Sequence, residues 1–216
     1  VTSNEITVSG INAPSAISVT GGSYSINGGT YTTVAGTVNN GDKVKVQQTA
    51  SASFATKVDT VLTIGGVSDT FSSTTVAKDT TPDAFTFTDQ TGVAISSTVT
   101  SNEITVAGIN APSAISVTGG SYSINGGAYT TVVGNVNNGD KVKVQQTASA
   151  SFATKVDTVL TIGGVSDTFS STTIAKDTTP DAFTFTDQTG VALSAVVTSN
   201  EITVSGINAP SAISIS

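Results

Sequence analysis

Apolar and polar residues alternate at every second position in short runs along this chain. Ile6 and Val8 flank Thr7 in EITVSGI. Val44 and Val46 sit between Lys43, Lys45 and Gln47 in DKVKVQQ. Val58, Thr60, Leu62 and Ile64 share one face of VDTVLTIGG, and Phe85 and Phe87 alternate with Thr86 and Thr88 in AFTFTD. A period of two is that of a β-strand with one face buried. The runs are separated by Asn27-Gly28-Gly29, Asn39-Asn40-Gly41-Asp42 and Gly65-Gly66. Asn and Gly tolerate positive φ and mark tight hairpin turns. No stretch carries the 3.6-residue period of a helix. About seven or eight such strands, with turn signals every 8–12 residues or so, predict an all-β sandwich.

The pattern recurs. Residues 1–98 and 99–196 align without a gap and differ at 8 of 98 positions: Ser9/Ala107, Thr30/Ala128, Ala35/Val133, Thr37/Asn135, Val76/Ile174, Ile95/Leu193, Ser97/Ala195 and Thr98/Val196. Residues 197–216 restart the unit. A period of 98 is the length of a small domain, not of a solenoid turn, so the chain reads as tandem domains. Copies this similar have not diverged to build separate sites.

The run DTTPDAFTFTDQTGVA, VTSNEITVSGI, GGSYSINGG, VNNGDKVKVQQTAS, VLTIGG and SDTF resembles the tandem immunoglobulin-like repeats of large bacterial surface and secreted proteins of adhesin or stalk type. The resemblance covers essentially the whole chain, and its motifs speak to architecture, not chemistry. It implies immunoglobulin-like β-sandwich domains, an extracellular or cell-surface location, and DTTPD as the joint between domains with AFTFTD as the first strand. In that frame residues 1–78 are a repeat without its first strand, 79–176 a complete repeat, and 177–216 the opening strands of a third. The antibody-type Cys and Trp core is missing from the sequence; Tyr24 and Tyr122 stand as candidate buried aromatic anchors.

Composition narrows the function classes. Of 216 residues, 11% are charged and the net charge is −7, which gives no electrostatic attraction to nucleic acid or to an anionic membrane face. There is no Cys, so neither disulfides nor thiolate metal sites are expected, and no His. No apolar run reaches the ~18 residues of a membrane span. The chain starts at Val1 without a signal peptide and is expected to be a mature or excised segment or part of something longer.

The acids cluster at the joint: Asp79, Asp83 and Asp89, repeated as Asp177, Asp181 and Asp187. A two-carboxylate hydrolase needs one acid with its pKa raised by burial and a substrate cleft. A polar, proline-containing linker offers neither, so no catalytic residue is assigned and the chain is expected not to be an enzyme. Calcium, which takes six to eight oxygens, is the more suitable ligand. The six aspartates, helped by Asp42, Asp140, Asp69 or Asp167 of nearby loops, would hold it and stiffen the joint. A plain solvated joint, with Asp and Thr capping turns, remains the alternative.

The copy numbers leave a mismatch. Residues 1–78 have no AFTFTD, whereas 177–216 carry a spare one with Phe183 and Phe185. A sandwich without its first strand exposes a sheet edge and an apolar groove. Two completions are open: the tail of another copy enters the groove head-to-tail, forming an open filament, or a neighbouring repeat of a longer chain supplies the strand. The expected function is a non-enzymatic structural repeat, a spacer, stalk or filament subunit, whose partners are its own copies or repeats. The alternative is an adhesin module whose Thr-rich strand face binds a glycan, ice or another surface ligand.

Overall fold

The computed structural model describes residues 1–215. The described residues contain no helix, and the chain divides into two compact units, Val1–Asp79 and a second from Thr80 onward. Each is an immunoglobulin-like β-sandwich, and the two repeat one wiring.

In the first unit, β1 (Ile6–Thr7), β5 (Lys43–Gln47) and β3 (Ser23–Ile26) form one sheet in that order. The other is β4 (Gly36–Val38), β2 (Ser15–Thr20), β6 (Lys57–Ile64) and β7 (Val67–Thr74). The second unit opens with an additional strand, β8 (Gln90–Val93). Its first sheet places β14 (Lys141–Thr147) between β12 (Ser121–Ile124) and the pair β9 (Thr98–Thr100) and β10 (Ile104–Thr105). Its second sheet runs β13 (Gly134–Val136), β11 (Ser113–Thr118), β15 (Lys155–Ile162), β16 (Val165–Thr173) and β8. All pairings are antiparallel except β8 on β16, which is parallel. The opening strand of the second sandwich thus lies beside its last strand.

The predicted alternation is realised. On β14, Val142 and Val144 are buried while Lys141 is exposed and Lys143 half-buried; on β15, Thr158, Leu160 and Ile162 share the buried face. Gly65-Gly66 and Gly163-Gly164 make the hairpin turns with positive φ throughout. A second glycine pair, Gly119-Gly120, carries the chain from β11 in one sheet to β12 in the other. A Cβ on Gly119 would sit 2.3 Å from the Asp157 carbonyl oxygen, and one on Gly120 2.5 Å from that of Gln145. Only glycine permits a crossing this close to the neighbouring backbone.

The core of the second unit joins Ile104, Val106, Ile115, Val142, Val144, Leu160, Ile162 and Phe169 with Phe87 of its opening segment. Tyr24 and Tyr122 are both 2% exposed, and each donates its hydroxyl to a backbone carbonyl, of Val34 and Val132 respectively. Gln146 is buried in register with Val142 and Val144. Its Nε2 donates to the Val156 carbonyl and the Ser171 hydroxyl, and its Oε1 accepts from Thr158. Gln48, Thr60 and Ser73 repeat this knot in the first unit.

One expectation is corrected. AFTFTD is not itself the first strand: residues 84–89 are irregular, and the ladder begins at Gln90. Side chains, not backbone ladders, hold these residues, so the in/out alternation survives without strand pairing. Nor do opening strands form over 177–215. The strands of the complete unit are laddered on β14 and β16, and no counterpart of either is present in that stretch.

Candidate functional site

The opening segment of the second unit shows how a sandwich of this sequence is completed. Pro82 is buried, and the Ser113 hydroxyl donates to the Thr80 carbonyl at 2.6 Å. The Asp83 amide donates to the Ala107 carbonyl at 2.9 Å. Phe87 enters between the sheets and is 5% exposed, its ring edge-to-face with those of Phe85 and Phe169 at 6.0 and 6.3 Å. Two aspartates exchange bonds across the seam. The Phe87 amide donates to the Asp167 carboxylate at 2.6 Å, and the Ser170 amide donates to the Asp89 carboxylate at 2.8 Å. Asn102 takes the Thr88 amide on its Oδ1, and Gln90 Nε2 donates to the Thr100 carbonyl. Then β8 runs parallel to β16, with Gln90 opposite Ser171, Thr91 opposite Thr172 and Val93 opposite Thr173.

The segment lies tight against two glycines. A Cβ on Gly163 would meet the Thr80 carbonyl oxygen at 2.2 Å, and one on Gly108 would meet the Asp83 amide nitrogen at 2.9 Å. Both have positive φ.

The first unit presents the same walls with nothing between them. Ile6 is 43% exposed where Ile104 is 6%. Phe71, Leu62 and Ile64 are half-buried where Phe169, Leu160 and Ile162 are completely buried. These residues are identical in type and sequence context, so the filling segment alone accounts for the difference. The result is a cleft of about 150 Å³ between Ile6, Val44, Val46, Leu62 and Phe71. It continues into a second of about 470 Å³ past Val8, Ile11 and Ile64, with Asp69 on the rim of both. A Cβ on Gly10, the counterpart of Gly108, would touch nothing. β7 is an unpaired sheet edge.

The tail holds a third copy of the filling segment in partly formed shape. The Asp181 amide donates to the Ser205 carbonyl, the Thr186 amide to Asn200 Oδ1, and Gln188 Nε2 to the Thr198 carbonyl. These repeat the bonds of Asp83, Thr88 and Gln90 one for one. A Cβ on Gly206 would meet the Asp181 amide nitrogen at 2.9 Å, as Gly108 meets Asp83. The aromatic side chains remain outside: Phe183 and Phe185 are 52% and 49% exposed, in contact with each other at 5.9 Å.

Several of the acids considered for calcium accept hydrogen bonds within the fold. Asp89 and Asp167 tie the segment to β16. Asp177 accepts from the Thr179 amide, and Asp181 accepts from the Ser205 hydroxyl. Asp79 closes the first unit, and Asp187 lies exposed beyond Phe185. Among the described residues, no three acidic side chains gather to hold a metal ion. Asp42 and Asp140 close their own turns. Amide bonds from Asn39 and Asn137 hold their carboxyls below the usual Asp value, with the side chains of Asn27 and Asn125 adding to the effect. Asp59 and Asp157 are lowered by the hydroxyls of Ser72 and Ser170, and Glu103 by Lys141. These five carboxyls all shift toward permanent ionisation, the opposite of what a general acid needs. Lys43 and Lys45 pair with Glu5 at the surface, at 3.4 and 3.5 Å.

The groove was legible in the missing Phe-x-Phe. The role of Asp167 was not, because it meets its partner 80 residues away.

No protein-family model and no curated protein matches this chain. Among solved structures, domains 4 and 5 of the S-layer protein SbsC are similar at 10% identity with a TM-score of 0.34, over 73% of this chain and 100% of that one. A chimeric titin Z1Z2-Z1Z2 tandem functionalised with a GRGDS peptide from fibronectin is similar at 16% identity with a TM-score of 0.23, over 80% of this chain and 89% of that one.

Proposed function

We propose that this chain is a non-enzymatic structural repeat of a cell-surface or secreted assembly, a spacer, stalk or filament subunit whose sandwiches are completed by an opening strand from a neighbouring repeat or from another copy. One observation carries the reading. Sandwiches of nearly one sequence recur along the chain with a period of 98 residues, and the second unit lays its opening strand parallel to its last. The fold also suits load. In the second unit β8 lies parallel to β16, so tension enters through the start of one strand and leaves through the end of its neighbour. The hydrogen bonds between them are then sheared together, not peeled one at a time.

Single-molecule pulling on the chain through its two ends tests this. The second unit is expected to unfold in one high-force event and the first at distinctly lower force. If the second unit yields gradually, without a force peak, the load-bearing reading fails. A glycan array and an ice-recrystallisation assay are expected to be blank; specific binding in either would favour an adhesin module instead.

A further inference from the structure

We propose that Gln146 and Gln90 act as a two-way amide staple between the sheets of the second unit, fastening the parallel β8–β16 pair to the sheet across the core. This rests on the reading as a load-bearing structural repeat and names the side chains that set its resistance.

The staple starts from one row of the ladder. Gln90 of β8 lies opposite Ser171 of β16, and Ser171 lies opposite Val156 of β15. Gln146 reaches this row from β14 in the other sheet. It is 4% exposed, and its Nε2 donates to the Val156 carbonyl at 3.0 Å and to the Ser171 hydroxyl at 2.7 Å. Its Oε1 accepts from the fully buried Thr158. One amide thus spends both N–H groups and its oxygen on the opposite sheet.

Gln90 crosses in the other direction. Its Nε2 donates at 2.8 Å to the Thr100 carbonyl on β9, and Thr100 lies opposite Gln145, the neighbour of Gln146. No disulfide can join these sheets, because the chain has no Cys. Gln48, Val58, Thr60 and Ser73 repeat the Gln146 knot in the first unit with the same atoms, so the arrangement belongs to the repeat.

The consequence is mechanical. Tension along the chain draws β8 and β16 in opposite directions. Each is bonded at the same row to the sheet across the core, β8 through Gln90 and β16 through Ser171. Sliding either strand therefore breaks an interior bond as well as the ladder. Buried donors and acceptors that lose their partners find no water to replace them, so this rupture is costly. A fully satisfied buried network also stiffens the strands it joins.

Pulling on the 216-residue chain through its two ends tests the staple. Gln146→Met keeps the length of the side chain but orphans the Val156 carbonyl and the hydroxyls of Ser171 and Thr158. It is expected to lower the force peak of the second unit and to raise its unfolding rate at zero force about a hundredfold. Ser171→Ala removes one bond and is the milder variant, with an expected rise of about tenfold. The triple variant Gln146→Met, Thr158→Val, Ser171→Ala leaves no orphaned hydroxyl. Its urea midpoint is expected to return toward that of the unaltered chain while its force peak stays low. Thr161→Val loses a hydroxyl bond to Ser166 on the exposed face of one sheet and is expected to leave the peak unchanged. The proposal is overturned if Gln146→Met leaves the peak unchanged, or if the triple variant recovers the peak together with the urea midpoint. It is equally overturned if the Gln146 side-chain amide protons exchange with solvent as fast as those of the exposed Gln47. An unaltered chain without a force peak fails the load-bearing reading instead, and the amide exchange then decides the staple by itself.

Discussion

Truncating Phe87 to alanine should unfold the second unit selectively. The ring is 5% exposed and edge-to-face with Phe85 and Phe169. Returning its apolar area to water costs about 2–3 kcal/mol, and losing the ring pairs adds about 0.5–1.5 kcal/mol. The sum, about 2.5–4.5 kcal/mol, overlaps the about 3–5 kcal/mol expected for a buried Phe→Ala change. In a sandwich of this size that lowers the melting temperature by about 10–20 °C. Scanning calorimetry of the whole chain should resolve two transitions, and Phe87→Ala should move only the one belonging to the second unit. Phe185→Ala, the same substitution in the same sequence context, should leave that transition within about 0.5 kcal/mol, because its ring is half exposed. A loss under about 1 kcal/mol for Phe87→Ala would refute the claim that the segment is part of the core.

Three further outcomes are expected. Gly108→Ala should destabilise the second unit more than Gly10→Ala destabilises the first, since both have positive φ but only the former presses a Cβ on Asp83; equal melting losses would contradict this. The carboxyls of Asp42, Asp59, Glu103, Asp140 and Asp157 are lowered in the folded state, so their stabilisation is complete above the unfolded values and is lost as pH falls through the folded ones. The urea midpoint should therefore hold from neutral to about pH 5 and drop below about pH 4; a fall between pH 7 and 5 would contradict it. Because Asp89, Asp167, Asp177 and Asp181 already accept hydrogen bonds, replacing EGTA by millimolar calcium should move neither melting transition, and a rise in either would restore an ion at the joint.

Much of this architecture is legible in the sequence because its signals are local. Alternation in KVKVQQ and VDTVLTI places the strand faces correctly, and Asn27-Gly28 marks a turn that takes φ of 50° and 74°. The same alternation extends to Gln48, in line with Val44 and Val46, and so carried the signal for the buried amide knot that polarity obscured. Other features depend on distant partners. That Phe85–Asp89 are held by Asp167 and Asn102 and not by a ladder follows from positions up to 80 residues apart. The sheet crossing at Gly119-Gly120 depends on how near the Asp157 and Gln145 backbones come. The acids at the joint are close in sequence, yet Asp89 bonds to the Ser170 amide on β16 and Asp181 to Ser205 in the tail.

The central claim is that the opening segment, where it is in place, completes and protects the sandwich. Hydrogen exchange on the last strand of each unit tests this most directly, because Val76 and Ile174 give the otherwise identical peptides VSDTFSSTTV and VSDTFSSTTI different masses. The Val76 peptide should exchange much faster than the Ile174 peptide. Equal protection of the two would contradict the account.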